Sequence, residues 1–270
     1  MSEEKIISNT REPNTINTIY QGLMSLGINS NDILLVHSSL SSLGWVCGGE
    51  QAVVSALINA VGRGGTLVMP AHSGNLSDPA QWENPPVPIE WIQTIYDNMP
   101  AYEPEITPTG GMGRIAELFR TFPNTIRSNH PQVSFCANGK YATNITEKHP
   151  LTPQLGMDSP LGKLYNLKAK VLLLGVDYDR CTSFHLAESL IEEMPIKKMG
   201  AAILENGKRC WKWFEDYEYD SEDFELIGRE FEENYKVQRG KVGNAECKLF
   251  EIKDGVDFAR EWLIKHRFVR

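Results

Sequence analysis

The strongest constraint on this chain is a set of short, unbroken apolar runs. Ile33-Leu34-Leu35-Val36, Thr66-Leu67-Val68-Met69 and the segment Lys170–Val176 (KVLLLGV) lack the alternation of a half-exposed strand. Runs of this length fit strands covered on both faces. The segments between them agree. Thr15–Leu26 gathers Ile16, Ile19, Tyr20, Leu23 and Met24 near one helix face, and Gly27 closes it. A second helix is expected from Glu50 to Val61, ended by Gly62 and Gly64-Gly65. Strand, helix, strand predicts a parallel pair. The expected fold class is α/β: a largely parallel central sheet with flanking helices and a C-terminal α+β elaboration over 195–270.

Further helices are expected at Ile89–Met99, Gly113–Phe122, Cys181–Glu193 and Val256–Lys265. Strands are expected at Val133–Phe135, Ala201–Leu204 and Arg209–Phe214. Residues 1–14 read as a loose polar leader. No Gly/Ser linker divides the chain, so 1–270 reads as a single domain. The Pro-rich stretches within 70–112 mark long loops, which are usually functional or poorly ordered.

Charge narrows the partners. Twenty-seven basic against 35 acidic residues give a net charge of −8, which argues against nucleic acid and anionic membranes. The segment Glu215–Glu233 holds ten acidic residues and one basic, Arg229, so the remaining chain is nearly balanced. No apolar run approaches the ~20 residues of a membrane span. The start, MSEEKIISNT, lacks a signal peptide's basic start and apolar core. The five cysteines form no C-x-x-C pair, so neither a zinc ribbon nor a disulfide framework is expected. A cytoplasmic setting is the simplest expectation.

Two loops that leave apolar strands are chemically rich, and ligands of open α/β sheets bind outside the carboxyl ends of strands. His37-Ser38-Ser39-Leu40-Ser41 follows the first strand. Its small residues and hydroxyls fit a phosphate or pyrophosphate, or they cap the next helix. It is neither Walker A nor G-x-G-x-x-G. The second loop, Asp177–Glu188, places Thr182, His185 and Glu188 three residues apart, on one face if helical. Glu188 could hold the imidazole while the other ring nitrogen accepts a proton, and Thr182 could donate to a developing oxyanion. A capped helix with a buried His–Glu pair fits the same spacing. Zinc is weaker, because Cys181 and His185 supply only two ligands. No G-x-S-x-G elbow supports a serine hydrolase.

Several ordered segments together resemble one family, the aminoglycoside N(3)-acetyltransferases. They are LLVHSSLSSLGWVCGGEQAVVSALINAVGRGGTLVMP (34–70), TPTGGMGRIAELFR (107–120), RSNHPQVSFCANG (127–139), SPLGKLYNLKAKVLLLGV (159–176) and TSFHLAES (182–189). The stretch LSDPAQWENPPVP (76–88) is similar to bacillus-type members. The resemblance implies an acetyl-coenzyme A-dependent N-acetyltransferase outside the GNAT fold, and the ligand spacing adds no expectation of a metal. It implies direct transfer to the 3-amino group of a 2-deoxystreptamine aminoglycoside, giving antibiotic resistance. It makes His37, Ser38, Ser39, Leu40 and Ser41 the cradle of the coenzyme pyrophosphate. Thr109, Met112, His130 and Phe135 become contacts for the coenzyme or its acetyl end. His185 becomes the general base, with Glu188 as its partner. Many resistance enzymes have Asn-Thr-Thr where this chain has Cys181-Thr182-Ser183, a departure that bears on antibiotic preference.

A polycationic acceptor needs acidic groups, and Asp177, Asp179 and Glu192 are candidates, with the 215–233 segment either an attractor or a solvated face. Two alternatives remain: the same chemistry on another small amine, or a coenzyme A-binding protein without catalysis. Monomer and homodimer are equally compatible with the sequence.

Overall fold

The three apolar runs become the three central strands of one sheet. In chain order the strands are β1 (Ile33–Ser38), β2 (Thr66–Pro70), β3 (Ile126–Arg127), β4 (Phe135–Gly139), β5 (Lys170–Leu174), β6 (Ile196–Glu205), β7 (Lys208–Tyr217), β8 (Gln238–Val242) and β9 (Ala245–Glu251). The computed structural model describes residues 2–268. Seven strands form the main sheet in the order β3-β4-β2-β1-β5-β9-β8, and β6 pairs with β7 as a separate hairpin. The centre is parallel: Leu34 lies opposite Leu67 of β2, and Leu35 opposite Val171 of β5. Antiparallel strands extend both flanks.

The helices are α1 (Glu3–Ser8), α2 (Ile16–Leu26), α3 (Gly49–Val61), α4 (Ile92–Asn98), α5 (Gly113–Arg120), α6 (Ala142–Thr146), α7 (Pro160–Asn166), α8 (Phe184–Glu188), α9 (Phe224–Asn234) and α10 (Ile252–Leu263). Alternate residues of a strand face opposite sides, and both sides are covered here. Leu34, Val36, Leu67 and Leu172 pack on residues of α2, α3 and α5, such as Leu23, Leu57 and Phe119. Leu35, Val68, Val171 and Leu173 pack on residues of α7 to α10, such as Leu164, Phe184, Ile227 and Val256. Two apolar layers on one sheet explain why the runs show no period-two pattern.

Helix α2 starts with a reciprocal cap between Thr15 and Thr18 and ends at Gly27, whose φ of 106° suits glycine. Other expectations are revised. The leader is tied down: Thr10 accepts the Trp45 amide at 2.8 Å, and Asn14 donates to the Leu43 carbonyl at 2.8 Å. The strand expected at 133–135 begins at Phe135, because the amides of Gln132 and Val133 turn onto His130 Nδ1 instead. The helix expected over 181–193 is only α8. The Leu190 and Ile191 amides bond three residues back, and that tightening ends it. The two short strands expected near 201–214 are longer, joined at Asn206-Gly207, both with positive φ. No helix among the described residues is long and apolar enough to cross a membrane.

Candidate active site

Parallel strands deliver their exit loops to one edge, and the loops after β1, β2 and β5 meet there in a cleft of about 1300 Å³. Its walls hold His37–Ser41 from the first loop, His72 from the second, and Asp177, Asp179 and Thr182 from the third. His185 stands at the start of α8 on the same wall.

The first loop is internally organised. The Ser39 amide donates to the Leu174 carbonyl at 3.0 Å, locking the loop to β5. The Ser42 hydroxyl donates to Ser39 Oγ at 2.9 Å, and Ser39 and Ser41 hydroxyls lie 3.3 Å apart. Beside it, Gly48–Gln51 at the start of α3 also line the cleft. Gly48 occupies the N-cap at φ 86° and offers no side-chain cap to the first turn. The start of α5, from Met112 to Ala116, lines the cleft too and likewise lacks a side-chain cap. Uncapped helix starts present amides and positive dipole ends suited to an anion. Arg114 and Arg180 add two cations to the rim, paired with Glu50 and Asp179.

His185 and Glu188 meet as their spacing predicts: Nδ1 lies 2.5 Å from Oε2. Glu188 is fully buried, and its other oxygen accepts the Asp220 amide at 3.0 Å and Arg267 Nη1 at 2.8 Å. With Nδ1 engaged, Nε2 is the nitrogen left for a ligand. The imidazole is walled by Phe224 (centroids 4.7 Å apart) and, edge-on, by Tyr219 (5.4 Å). Thr182 sits in the turn before α8, half-buried at the cleft surface.

Two more imidazoles line the cleft. Burial, helped by the charge of His185, drives the pKa of His37 and of His72 down to about 3. The Nε2 atom of each is buried with no hydrogen-bond partner among the described residues. Both rings are therefore neutral at ordinary pH.

Not every expected contact is in the cleft. Met112 is, but Thr109 is occupied by Glu117, which accepts from both its amide (2.9 Å) and its hydroxyl (2.8 Å). Bonds from Arg120 and Thr109 outweigh burial and hold the Glu117 carboxyl down near 2. His130 is fully buried, accepts two backbone amides on Nδ1, and has its pKa lowered to about 4 by burial. Phe135 belongs to the core behind β2, edge-on to His72. Glu192 is exposed beyond α8, outside the cleft lining. Asp177 and Asp179 line the cleft but carry their own cations, Lys248 and Arg180.

The acidic segment is largely spoken for. Asp216 accepts from the Gln154 amide and Thr152, Asp223 binds Arg267, Glu230 accepts from Trp262, and Glu232 pairs with Lys248 and Arg239. Ser221 and Phe224 are its only contributions to the cleft lining. Among the described residues, no three His, Cys, Asp or Glu side chains are placed to hold a metal ion.

Sequence reasoning missed His72, Gly48–Gln51 and Arg267. The Gly-Gly pair before a predicted helix was a readable signal for the second of these, whereas an isolated His after a strand and an Arg 79 positions from its partner carried none.

Comparison with known proteins agrees with this geometry. Residues 35–264 match the family model of the aminoglycoside 3-N-acetyltransferases. The SPbeta prophage-derived aminoglycoside N(3')-acetyltransferase-like protein YokD of Bacillus subtilis (strain 168) is 49% identical over 264 residues, 97% of each chain. Its crystal structure superposes with a TM-score of 0.97 at 48% identity, covering 99% of each chain. Aminoglycoside N(3)-acetyltransferase VII of Streptomyces paromomycinus is 33% identical, covering 97% of this chain and 96% of its own. AAC-IIIb, solved with CoASH, matches at TM-score 0.83 and 29% identity, covering 94% of this chain and 97% of its own. AAC-VIa, solved with sisomicin, also matches at TM-score 0.83 and 29% identity, covering 93% and 98%. The chain belongs to the aminoglycoside 3-N-acetyltransferase family and is an acyltransferase.

Proposed function

We propose that this enzyme transfers acetyl from acetyl-coenzyme A directly to the 3-amino group of a 2-deoxystreptamine aminoglycoside, with His185 as general base. The observation that carries this reading is the His185–Glu188 pair opening onto the same cleft as the serine loop and two uncapped helix starts. A cleft of about 1300 Å³ exceeds the ~300–1,000 Å³ of ordinary small-ligand sites, as two substrates side by side require. The AAC-IIIb complex with CoASH and the AAC-VIa complex with sisomicin support the two substrate classes.

Acetyl-coenzyme A supplies an activated thioester. Ser38, Ser39, Ser41 and the start of α3 hold its pyrophosphate through hydroxyls and amides. An aminoglycoside amine is largely protonated at neutral pH and must lose a proton to attack. His185 Nε2 accepts that proton as the new nitrogen–carbon bond forms and the carbon–sulfur bond breaks. Glu188 steadies the imidazolium, and Thr182 donates to the carbonyl oxygen as it gains charge. The imidazolium passes its proton to the departing sulfur, so the coenzyme leaves as a thiol, and the ammonium's other proton goes to solvent. Asp177 and Asp179 offer carboxylates in the cleft lining to a polycationic acceptor, within their ion pairs.

The test is thiol release from acetyl-coenzyme A against a panel of aminoglycosides and other small amines. Turnover with 2-deoxystreptamine aminoglycosides, acetylated at the 3-amino group by NMR, is expected. Turnover confined to other amines would move the acceptor. A silent panel with tight coenzyme binding would make this a coenzyme-binding protein.

A further inference from the structure

Glu188 is fully buried, and a lone carboxylate there would be costly. Three donors meet it: His185 on its own helix, the Asp220 amide ahead of α9, and Arg267 from the turn after α10. Arg267 is itself fixed. Its Nε donates to Asp223 Oδ2 at 2.7 Å, and its Nη2 to the Asp220 carbonyl at 3.0 Å. Its side chain is 16% exposed. Burial opposes its charge, but Asp223 and Glu188 outweigh that and keep the guanidinium ionised.

We propose that Arg267 is a positioning residue for the acetyl transfer: it fixes the Glu188 carboxylate beneath His185 and limits how tightly that carboxylate binds a proton on the imidazole. The inference rests on His185 being the base. A buried carboxylate with no cation of its own favours imidazolium strongly, and a protonated base cannot accept the amine's proton. Arg267 takes a share of that charge. It does so from behind, so the face of His185 toward the cleft stays clear.

The other groups around His185 do not replace it. Tyr219 and Phe224 contact the ring, and burial raises the Tyr219 hydroxyl pKa far above its usual range, so it stays neutral. His37 and His72 are neutral neighbours from the first two loops. Asp220 and Asp223 are drawn toward Arg267 rather than the ring. Asp177, Asp179 and Arg180, in the same loop ahead of α8, are bonded within their own pairs.

The experiment compares Arg267→Met and Arg267→Lys with the unsubstituted enzyme by two readouts. One is the pH profile of kcat/KM. The other is NMR titration of the His185 ring, identified by its loss in His185→Gln, which needs no activity. Coenzyme binding by calorimetry confirms that each variant is folded. In Arg267→Met both the acid limb and the ring titration should move to higher pH by about half to one unit. Turnover lost on the acid side of the profile should return as pH rises. Arg267→Lys should restore most of the shift. A purely structural role would lower turnover equally at every pH, and an unmoved ring titration overturns the proposal. A moved ring titration with an unmoved acid limb instead overturns the base assignment, and the mechanistic role of Arg267 falls with it.

Discussion

Two groups of histidines look alike in composition and differ in what they leave unfinished. Outside the cleft lining, His130 accepts two amides and lies 4.6 Å, centroid to centroid, from His149, whose ring is bonded by Ser128 and the Gln154 carbonyl. Arg127 beside them donates to Ser134, Ser73 and the Ala71 carbonyl. In the cleft, His37 and His72 keep an unbonded buried nitrogen, and His185 uses only one of two. Buried polar groups normally find partners. The group whose bonding is complete within the chain holds loops together, and the group whose bonding is incomplete lines the cleft. Sequence gives both groups the same side chain, and it is the tertiary bonds that separate them.

The sharpest way to break this contrast is at His185. His185→Ala should lower turnover ~10²–10⁴-fold, the usual contribution of a positioned base, with coenzyme affinity by calorimetry unchanged. Near-normal turnover would place the base elsewhere.

Acid should next expose what both groups share. His37 and His72 sit near 3 and His130 near 4, against about 6.5 unfolded. Below pH 6.5 the unfolded chain therefore binds protons that the folded chain refuses. Stability from these groups is complete above pH 6.5 and is lost as pH falls toward 4. Each costs at most ~1.4 kcal/mol per pH unit across that window. Thermal unfolding from pH 7.5 to 4.5 should show Tm falling steeply below 6.5, and a flat profile would contradict the burial of these rings.

A smaller effect should isolate the cleft loop. Ser39→Phe should weaken coenzyme binding about tenfold or more, ~1.4 kcal/mol, while Tm moves little. An unchanged Kd by calorimetry would remove the loop from the cradle. Smallest of all, Glu192→Ala and Glu222→Lys should leave acceptor KM at low salt within about twofold, because both side chains are exposed and outside the cleft lining. A large rise in KM would return the acidic surface to the site.

The parallel centre was legible because strands covered on both faces write themselves as unbroken apolar runs. The pair His185–Glu188 was legible because three-residue spacing shares a face even on a five-residue helix. Strand β4 was not, because Cys136-Ala137-Asn138-Gly139 has no β-branched pattern and is made a strand by pairing with β2 and β3. Thr109, His130 and Phe135 lie in segments that resemble the family, and the segments did bring Met112 to the cleft. Which residues within a segment face the ligand is decided by tertiary bonds such as those of Glu117. Arg267 depends on the packing of α10, which no local pattern encodes.

Helix α1 carries a practical consequence. Glu3 and Ile6 line the same cleft as the serine loop, and the residues just after them clamp Trp45 and Leu43. A purification tag fused ahead of Glu3 would therefore emerge at the mouth of the binding site. Constants measured on such a fusion would mix the enzyme's behaviour with that of its handle, and a cleaved tag is the sounder reference.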